Sequence, residues 1–237
     1  EDDDVVVVDK PAGVVVHPGA GNRTGTLVSG LLARYPGLEH VGDPQRPGIV
    51  HRIDKETSGL LMVARSPRAH TALSDQLRAH TVTRSYQALV WGHLDAPRGV
   101  IDAPIGRSTR TPTRMAVSAG GREARTGFSV SATWTEPAPL SLLTCQLDTG
   151  RTHQIRVHLT AIGHPVVGDD RYHGRRQPLA DVPRFFLHAA TLGFDHPASG
   201  DRLQFEAPLP PDLQAVLDRL GTRTSADPSP GMPRPGD

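Results

Sequence analysis

The chain has 237 residues, 37% of them apolar, enough to pack a core in one large domain or two small ones. Its 24 glycines and 22 prolines are dispersed without a collagen-like or solenoid period, and no apolar run approaches the ~20 residues of a membrane helix. The net charge of +1 hides a partition, because residues 46–184 carry 19 Lys or Arg against 11 Asp or Glu while the remainder is acidic.

Every basic residue except Lys10 and Lys55 is arginine. Genome base composition produces such a bias, but the planar guanidinium fork also suits bidentate contacts with phosphate. A polyanionic partner is therefore allowed. The single cysteine, Cys145, has no internal partner and fits a buried small hydrophobe in a reducing compartment. The acidic start, EDDD, is the reverse of a signal peptide's basic one, so a cytoplasmic location is expected. The sequence begins without methionine, which leaves an upstream accessory domain open.

Val5 to Val8 before DKPAG reads as a buried strand closed by a turn, and Val14 to Val16 as a second short strand. A helix is expected over 25–34, with Thr26 as its cap and Leu27 and Leu31 on one face. Residues 36–48 read as loop, after which Ile49 to Ile53 enters the core and Leu60 to Ala64 forms a strand. Ser66 followed by Pro67 starts a helix that buries Ala69, Leu73 and Leu77 and ends near His80. In the strand 84–92, Tyr86, Ala88 and Val90 share one face and Gln87, Leu89 and Trp91 the other.

Residues 104–125 hold Arg107, Arg110, Arg114, Arg122 and Arg125 against one acid, Glu123, and read as an irregular or hairpin excursion with a basic surface. A solvated charged loop and a phosphate-gripping surface both fit. Leu140 to Leu147 is a strand. TGRTHQIRVHLTAIG reads as a helix entered from a tight turn, with Ile155, Leu159 and Ile162 as its apolar stripe, Gly163 as its stop, and Arg151 and His158 off the stripe. FFLHAA, 185–190, is a short strand, DHPASGDR a hairpin turn, LQFEAP another strand, and Leu213, Val216, Leu217 and Leu220 mark a last amphipathic helix. Together these elements predict an α+β domain over 1–222 and a disordered tail over 223–237.

The 12 histidines do not imply a metal, because His153 and His158 are five apart and no HExxH or paired-cysteine set exists. HPGAGNRTG lacks the GKS or GKT ending of a phosphate-binding loop, and there is no GxSxG nucleophile elbow. A carboxylate among arginines remains: HRIDKETSG, 51–59. If Ile53 points into the core, Arg52 and Asp54 emerge together on the other side of an extended segment. An arginine beside Asp54 keeps its carboxylate ionised and held, which suits both a structural ion pair and a nucleophile or base.

The ordered series KPAG (10–13), VVHPGAGN (15–22), GIVHRIDKETSGLLMVA (48–64), SYQALV (85–90), GRTHQIRVHL (150–159), GHPVVGDDRY (163–172) and LHA (187–189) resembles the RluA-type pseudouridine synthases. VVHPGAGN with GTLV is similar to the RluD-like branch. The resemblance implies the pseudouridine synthase fold, a mixed and mainly antiparallel central sheet with flanking helices and an RNA-binding active-site cleft. It implies that Asp54 is the catalytic residue, that Tyr86 stacks on the target base and helps remove a proton, and that Arg151 pairs with the aspartate. It places Arg52 on the RNA, and Ile155 and Leu187 against the uracil, with His51 and Lys55 supporting the loop or the substrate. Ile53 stands where leucine is usual, Glu56 where aspartate is, and Arg84 where lysine is frequent. Many RluD-like enzymes carry an S4 RNA-binding domain, and these 237 residues contain no such segment.

The expected activity is isomerisation of uridine to pseudouridine in structured RNA, most simply large-subunit (23S) ribosomal RNA or its precursor. No metal, nucleotide cofactor or membrane is called for, and a monomer suffices. Asp54 has three routes open: attack on C1′, attack on C6, or removal of the C2′ proton to give a glycal, which the resemblance favours. The five hairpin arginines would supply salt-sensitive phosphate contacts. Two rivals stand beside this expectation, a noncatalytic RNA-binding module of the same fold and a hydrolase leaving abasic sites.

Overall fold

The computed structural model describes residues 1–19, 21–22, 24–172, 179–221 and 224–225. The chain forms two compact units, residues 1–84 with 189–208 and residues 85–188 with 209–237.

In the first unit, β1 (Val5–Lys10) pairs antiparallel with β2 (Ser58–Ala64), placing Val7 opposite Met62 and Lys10 opposite Gly59. Every residue of β2 is buried, in keeping with its apolar run Leu60 to Ala64. β9 (Leu187–Asp195) lies on the other side of β2 and pairs antiparallel with β10 (Arg202–Glu206). Gly59 has φ +105°, and a side chain there would run into the Ala189 backbone, so glycine allows β2 and β9 to approach. Helix α1 (Leu27–Arg34) is capped by Thr26, whose hydroxyl accepts the Ser29 N–H. Helix α2 (Pro67–Arg78) is capped by Ser66 and packs Ala69 and Leu73 against β2.

In the second unit, β3 (Thr83–Trp91, from Ser85 onward) pairs antiparallel with β8 (Leu140–Leu147), and β8 with β7 (Arg125–Trp134). β4 (Arg98–Asp102) lies along β7, while β5 (Ile105–Arg107) and β6 (Met115–Val117) form a separate two-stranded hairpin. Helix α3 (Gln154–Ala161) packs on β6 and β7, and α4 (Pro211–Arg219) buries Leu213 and Val216. The α+β class agrees with the expectation.

Several details differ from it. Val14–Val16 is not a strand: the Val15 and Val16 carbonyls accept the Leu27 and Val28 N–H groups at 2.8 and 3.0 Å, and Lys10 takes the Val14 carbonyl. This segment serves the start of α1, where a helix has orphan donors. The expected loop 36–48 begins with a 3₁₀ turn, Pro36–His40, because Leu38 and Val41 are drawn into the core. β7 has no counterpart among the sequence-based expectations, although buried Thr126, Phe128, Ala132 and Trp134 show a strand's alternation around an irregularity between Val130 and Ala132. β9 runs on to Asp195 because β10 pairs along its length. The apolar stripe of α3 is replaced by burial of Gln154 through Leu159 all round, while Ile162 is exposed. Of the expected disordered tail, Thr224 and Ser225 (β11) pair with Thr133 and Ala132, and residues 223 and 226–237 lie outside the described residues.

Candidate active site

In the first unit the HRIDKETSG loop enters along Ile49, which bridges to Val63, and is pinned by buried Ile53. His51 Nε2 accepts the Met62 N–H at 3.1 Å, tying the loop to β2. Enclosure of the ring and, secondarily, the Arg84 cation push the His51 pKa down to about 3, so the imidazole is neutral and keeps its acceptor lone pair. The Asp54 carbonyl accepts the Thr57 N–H at 3.1 Å, closing the turn, and the Asp54 residue is half-buried.

Beneath the loop lies a group the sequence did not single out. Lys10 is fully buried, and its Nζ donates to the carbonyls of Pro11 (2.8 Å), Val14 (2.9 Å) and Lys55 (3.0 Å). The Lys55 carbonyl also accepts the Gly13 N–H at 2.9 Å. The KPAG segment and the Asp54 loop are thus joined through one ammonium. Lys55 itself is exposed, as is Arg52, whose Nη1 lies 3.1 Å from His17 Nε2. Because His17 Nδ1 lies 2.9 Å from the Pro18 carbonyl, that nitrogen carries the proton and Nε2 accepts from Arg52.

In the second unit, Tyr86 is buried on β3 opposite Cys145 of β8, and burial raises the Cys145 thiol to about 12. Ile155 and Leu187, expected against the uracil, are buried on α3 and at the start of β9. Arg151 stands on the turn before α3 and is half-exposed; its Nε donates to the Glu123 carbonyl at 2.8 Å and its N–H to Gln154 Oε1 at 2.9 Å. Burial and, next, the nearby Arg122 cation lower the Arg151 pKa, a mark of concentrated positive charge.

A buried polar chain holds this turn. Gln154 Oε1 also accepts the Thr149 hydroxyl, while its Nε2 donates to the Arg125 carbonyl (2.9 Å) and Thr126 Oγ1 (3.0 Å). His158, one helical turn later, bonds Thr126 Oγ1 with Nδ1 and the Ala103 carbonyl with Nε2, each at 2.9 Å. The expectation that His158 faces away from the core is corrected: it is fully buried, and satisfied bonds make that burial tolerable. The spacing of Gln154 and His158, four apart on one helix face, was the available signal.

Of the basic residues of 104–125, Arg107, Arg110, Arg114, Arg122 and Arg125 are all exposed, and the first three sit on the β5–β6 hairpin. Arg125 is engaged by Asp148 at 2.7 Å. His51, Arg52, Asp54 and Lys55 are therefore gathered on one loop of the first unit, and Tyr86, Arg151, Ile155, Leu187 and the arginines belong to the second.

A family model described as RNA pseudouridylate synthase matches residues 4–161. The chain is 50% identical over 220 residues to the uncharacterized RNA pseudouridine synthase YlyB of Bacillus subtilis (strain 168), covering 93% of this chain and 71% of that one. It is 49% identical over 227 residues to the ribosomal large subunit pseudouridine synthase D of Nitrosomonas europaea, covering 93% and 64%. Among solved structures it is similar to the human RNA pseudouridylate synthase domain containing 1, with a TM-score of 0.69, 26% identity, and coverage of 96% of this chain and 95% of that chain.

Proposed function

This chain belongs to the RNA pseudouridylate synthase family, and from that premise we propose that it converts uridine to pseudouridine in large-subunit ribosomal RNA, with Asp54 as the reacting carboxylate. The RNA class is supported by relatives named ribosomal large subunit pseudouridine synthase D. The observation that carries the role of Asp54 is the construction of its loop: a half-buried carboxylate on a backbone fixed by Lys10, His51 and Ile53.

The isomerisation breaks the N1–C1′ bond, turns the base and joins C5 to C1′. Asp54 takes the C2′ proton as the N1–C1′ bond breaks, giving a glycal and a uracil anion. The turned base attacks C1′ through C5 while Asp54 returns the proton to C2′. The C5 proton is then lost and N1 gains one, with Tyr86 assisting. No atom is gained or lost overall, and no oxidant is consumed. Arg151 supports the charge on Asp54, and Ile155 and Leu187 give the loose uracil an apolar wall.

The target base must leave its stack, at a cost of about a few kcal/mol. Stacking on Tyr86, worth roughly 1–3 kcal/mol, offsets much of this. Arg52, Lys55 and the hairpin arginines grip the RNA backbone. The enzyme is proposed to act as a monomer in the cytoplasm, in keeping with its lone buried Cys145.

The test is Asp54→Asn assayed for tritium release from a large-subunit ribosomal RNA transcript carrying C5-tritiated uridine. Release should fall to background while RNA binding persists. Release at the parent rate would refute the assignment, and abasic sites in place of pseudouridine would identify a hydrolase.

A further inference from the structure

The basic β5–β6 hairpin is clamped by a turn that carries none of the reacting groups, residues 169–172 of the second unit. The Tyr172 hydroxyl accepts the Met115 N–H at 3.2 Å, and Arg171 Nη1 donates to the Thr113 carbonyl at 3.4 Å. Both contacts fall on the return limb of the hairpin, beside Arg114. The turn is fixed in its own right: Asp169 accepts the Arg171 and Tyr172 N–H groups through Oδ1 and takes a two-pronged bond from Arg156, Nε to Oδ2 at 2.7 Å and Nη2 to Oδ1 at 3.0 Å. Arg156 and Asp169 are both buried, and the guanidinium also stacks over Phe185 and Tyr172, 4.2 and 5.0 Å from the ring centroids.

Tyr172 reaches in a second direction. Its oxygen lies 2.8 Å from Nδ1 of His153, the residue preceding α3, whose backbone is left-handed at φ +57°. The Tyr172 oxygen therefore accepts from Met115 and shares a second hydrogen bond with His153 Nδ1. The phenol thus links the Met115 N–H to the imidazole two residues after Arg151. Its ring edge-packs on His153 and joins the cluster of Ile105, Ala124 and Val157, against which Met115 lies. The hairpin's own ladder is three residue pairs; Ile105 bridges to Arg122 at its base and α3 packs on β6, and Tyr172 and Arg171 add side-chain anchors on its return limb at Thr113 and Met115.

We propose that Tyr172 and Arg171 are positioning residues for RNA binding: they set where the hairpin presents Arg110 and Arg114 to RNA phosphates, and register that hairpin against the turn bearing Arg151. This rests on the proposed function, because it supposes that the hairpin grips RNA. The chemistry recognised is the phosphate backbone of a structured RNA, and the effect belongs to affinity and salt dependence, not to the bond-making step.

The experiment measures binding of a large-subunit ribosomal RNA transcript across a salt series, and KM and kcat by tritium release, for the parent, Arg110→Ala/Arg114→Ala, Tyr172→Phe, Arg171→Ala and the triple variant adding Tyr172→Phe to the two alanines. The arginine pair should flatten the log K against log salt slope by roughly 1.5, as two lost phosphate contacts do. Tyr172→Phe, which keeps the ring, should flatten it by about half as much or more and raise KM about threefold to tenfold, with kcat within about twofold of the parent. In the triple variant Tyr172→Phe should add less than about twofold, because its effect runs through the same arginines. A merely structural role would lower the melting temperature without moving the slope. A parent-like slope and KM for both Tyr172→Phe and Arg171→Ala, with the arginine pair flattened, would overturn the clamp and leave the hairpin's RNA contact standing. A parent-like slope for the arginine pair would overturn the premise itself.

Discussion

The ammonium of Lys10 lies 3.0 Å from the carbonyl of Lys55, one residue beyond Asp54, and the lysine is fully buried. A positive charge with no access to water sits under the loop that carries Asp54, the proposed reacting carboxylate, and its nitrogen donates to the backbone carbonyls of Pro11, Val14 and Lys55. Lys10→Met should lower unfolding stability by about 2–4 kcal/mol, because the Pro11, Val14 and Lys55 carbonyls each lose a donor. Tritium release should fall as well, measured below the variant's melting temperature. Lys10→Arg should not rescue it, since a planar fork cannot match three carbonyls converging on one point. Urea unfolding of both variants checks this, and parent-like stability with full release in Lys10→Met would be the contrary result.

His51 predicts the acid limb of stability. Its folded-state pKa of about 3 lies below the ordinary histidine value of 6.5, so the unfolded chain takes up the proton more readily. The stabilisation is therefore present above pH 6.5 and is lost as pH falls from there toward 3, at about 1.4 kcal/mol per pH unit for one proton. Buried His158, whose pKa is also lowered mainly by burial, acts in the same direction. Denaturant midpoints between pH 7 and pH 4 should fall in the parent and fall less steeply in His51→Asn. An unchanged slope in that variant would place the acid sensitivity elsewhere.

Arg156 and Asp169 are 7% and 1% exposed, so removing one partner strands a buried charge. Asp169→Ala should cost about 3–5 kcal/mol. An Arg156→Met/Asp169→Ala double variant should recover part of that loss, because no charge is then left buried. Thermal or urea unfolding of the single and double variants decides it; strictly additive losses would mean that the ion pair is not the source.

Arg125 should matter less to RNA than its neighbours on the hairpin. It is held by Asp148 at 2.7 Å, so its charge is already partly compensated. Arg125→Ala should change the salt slope of RNA binding by less than Arg110→Ala, and Asp148→Asn should strengthen binding at low salt by about threefold at most. Filter binding at several salt concentrations compares them directly. Equal slopes for Arg125→Ala and Arg110→Ala would show that the pair opens on RNA.

By itself the sequence determined the features whose chemistry is local. Thr26 and Ser66 announce their helices because a hydroxyl before a first turn satisfies an orphan N–H, and the alternation from Tyr86 to Val90 marks β3 because a strand's side chains change face at every residue. The motif series around HRIDKETSG and GRTHQIRVH pointed to the family on residue identity alone. Tertiary structure decided what depends on partners far along the chain. Val14–Val16 has strand composition, yet its carbonyls are claimed by Lys10 and by the first turn of α1. His158 looks like a polar surface residue until Thr126 and Ala103, 32 and 55 residues away, supply both its bonds. Arg125 counts among the hairpin cations until Asp148 pairs with it, and Tyr172 is a plain aromatic until Met115 and His153 meet its hydroxyl. Spacing along a helix or strand encodes which way a side chain faces, but a buried polar group is specified by the donor or acceptor that reaches it, and folding alone brings that partner within 3 Å.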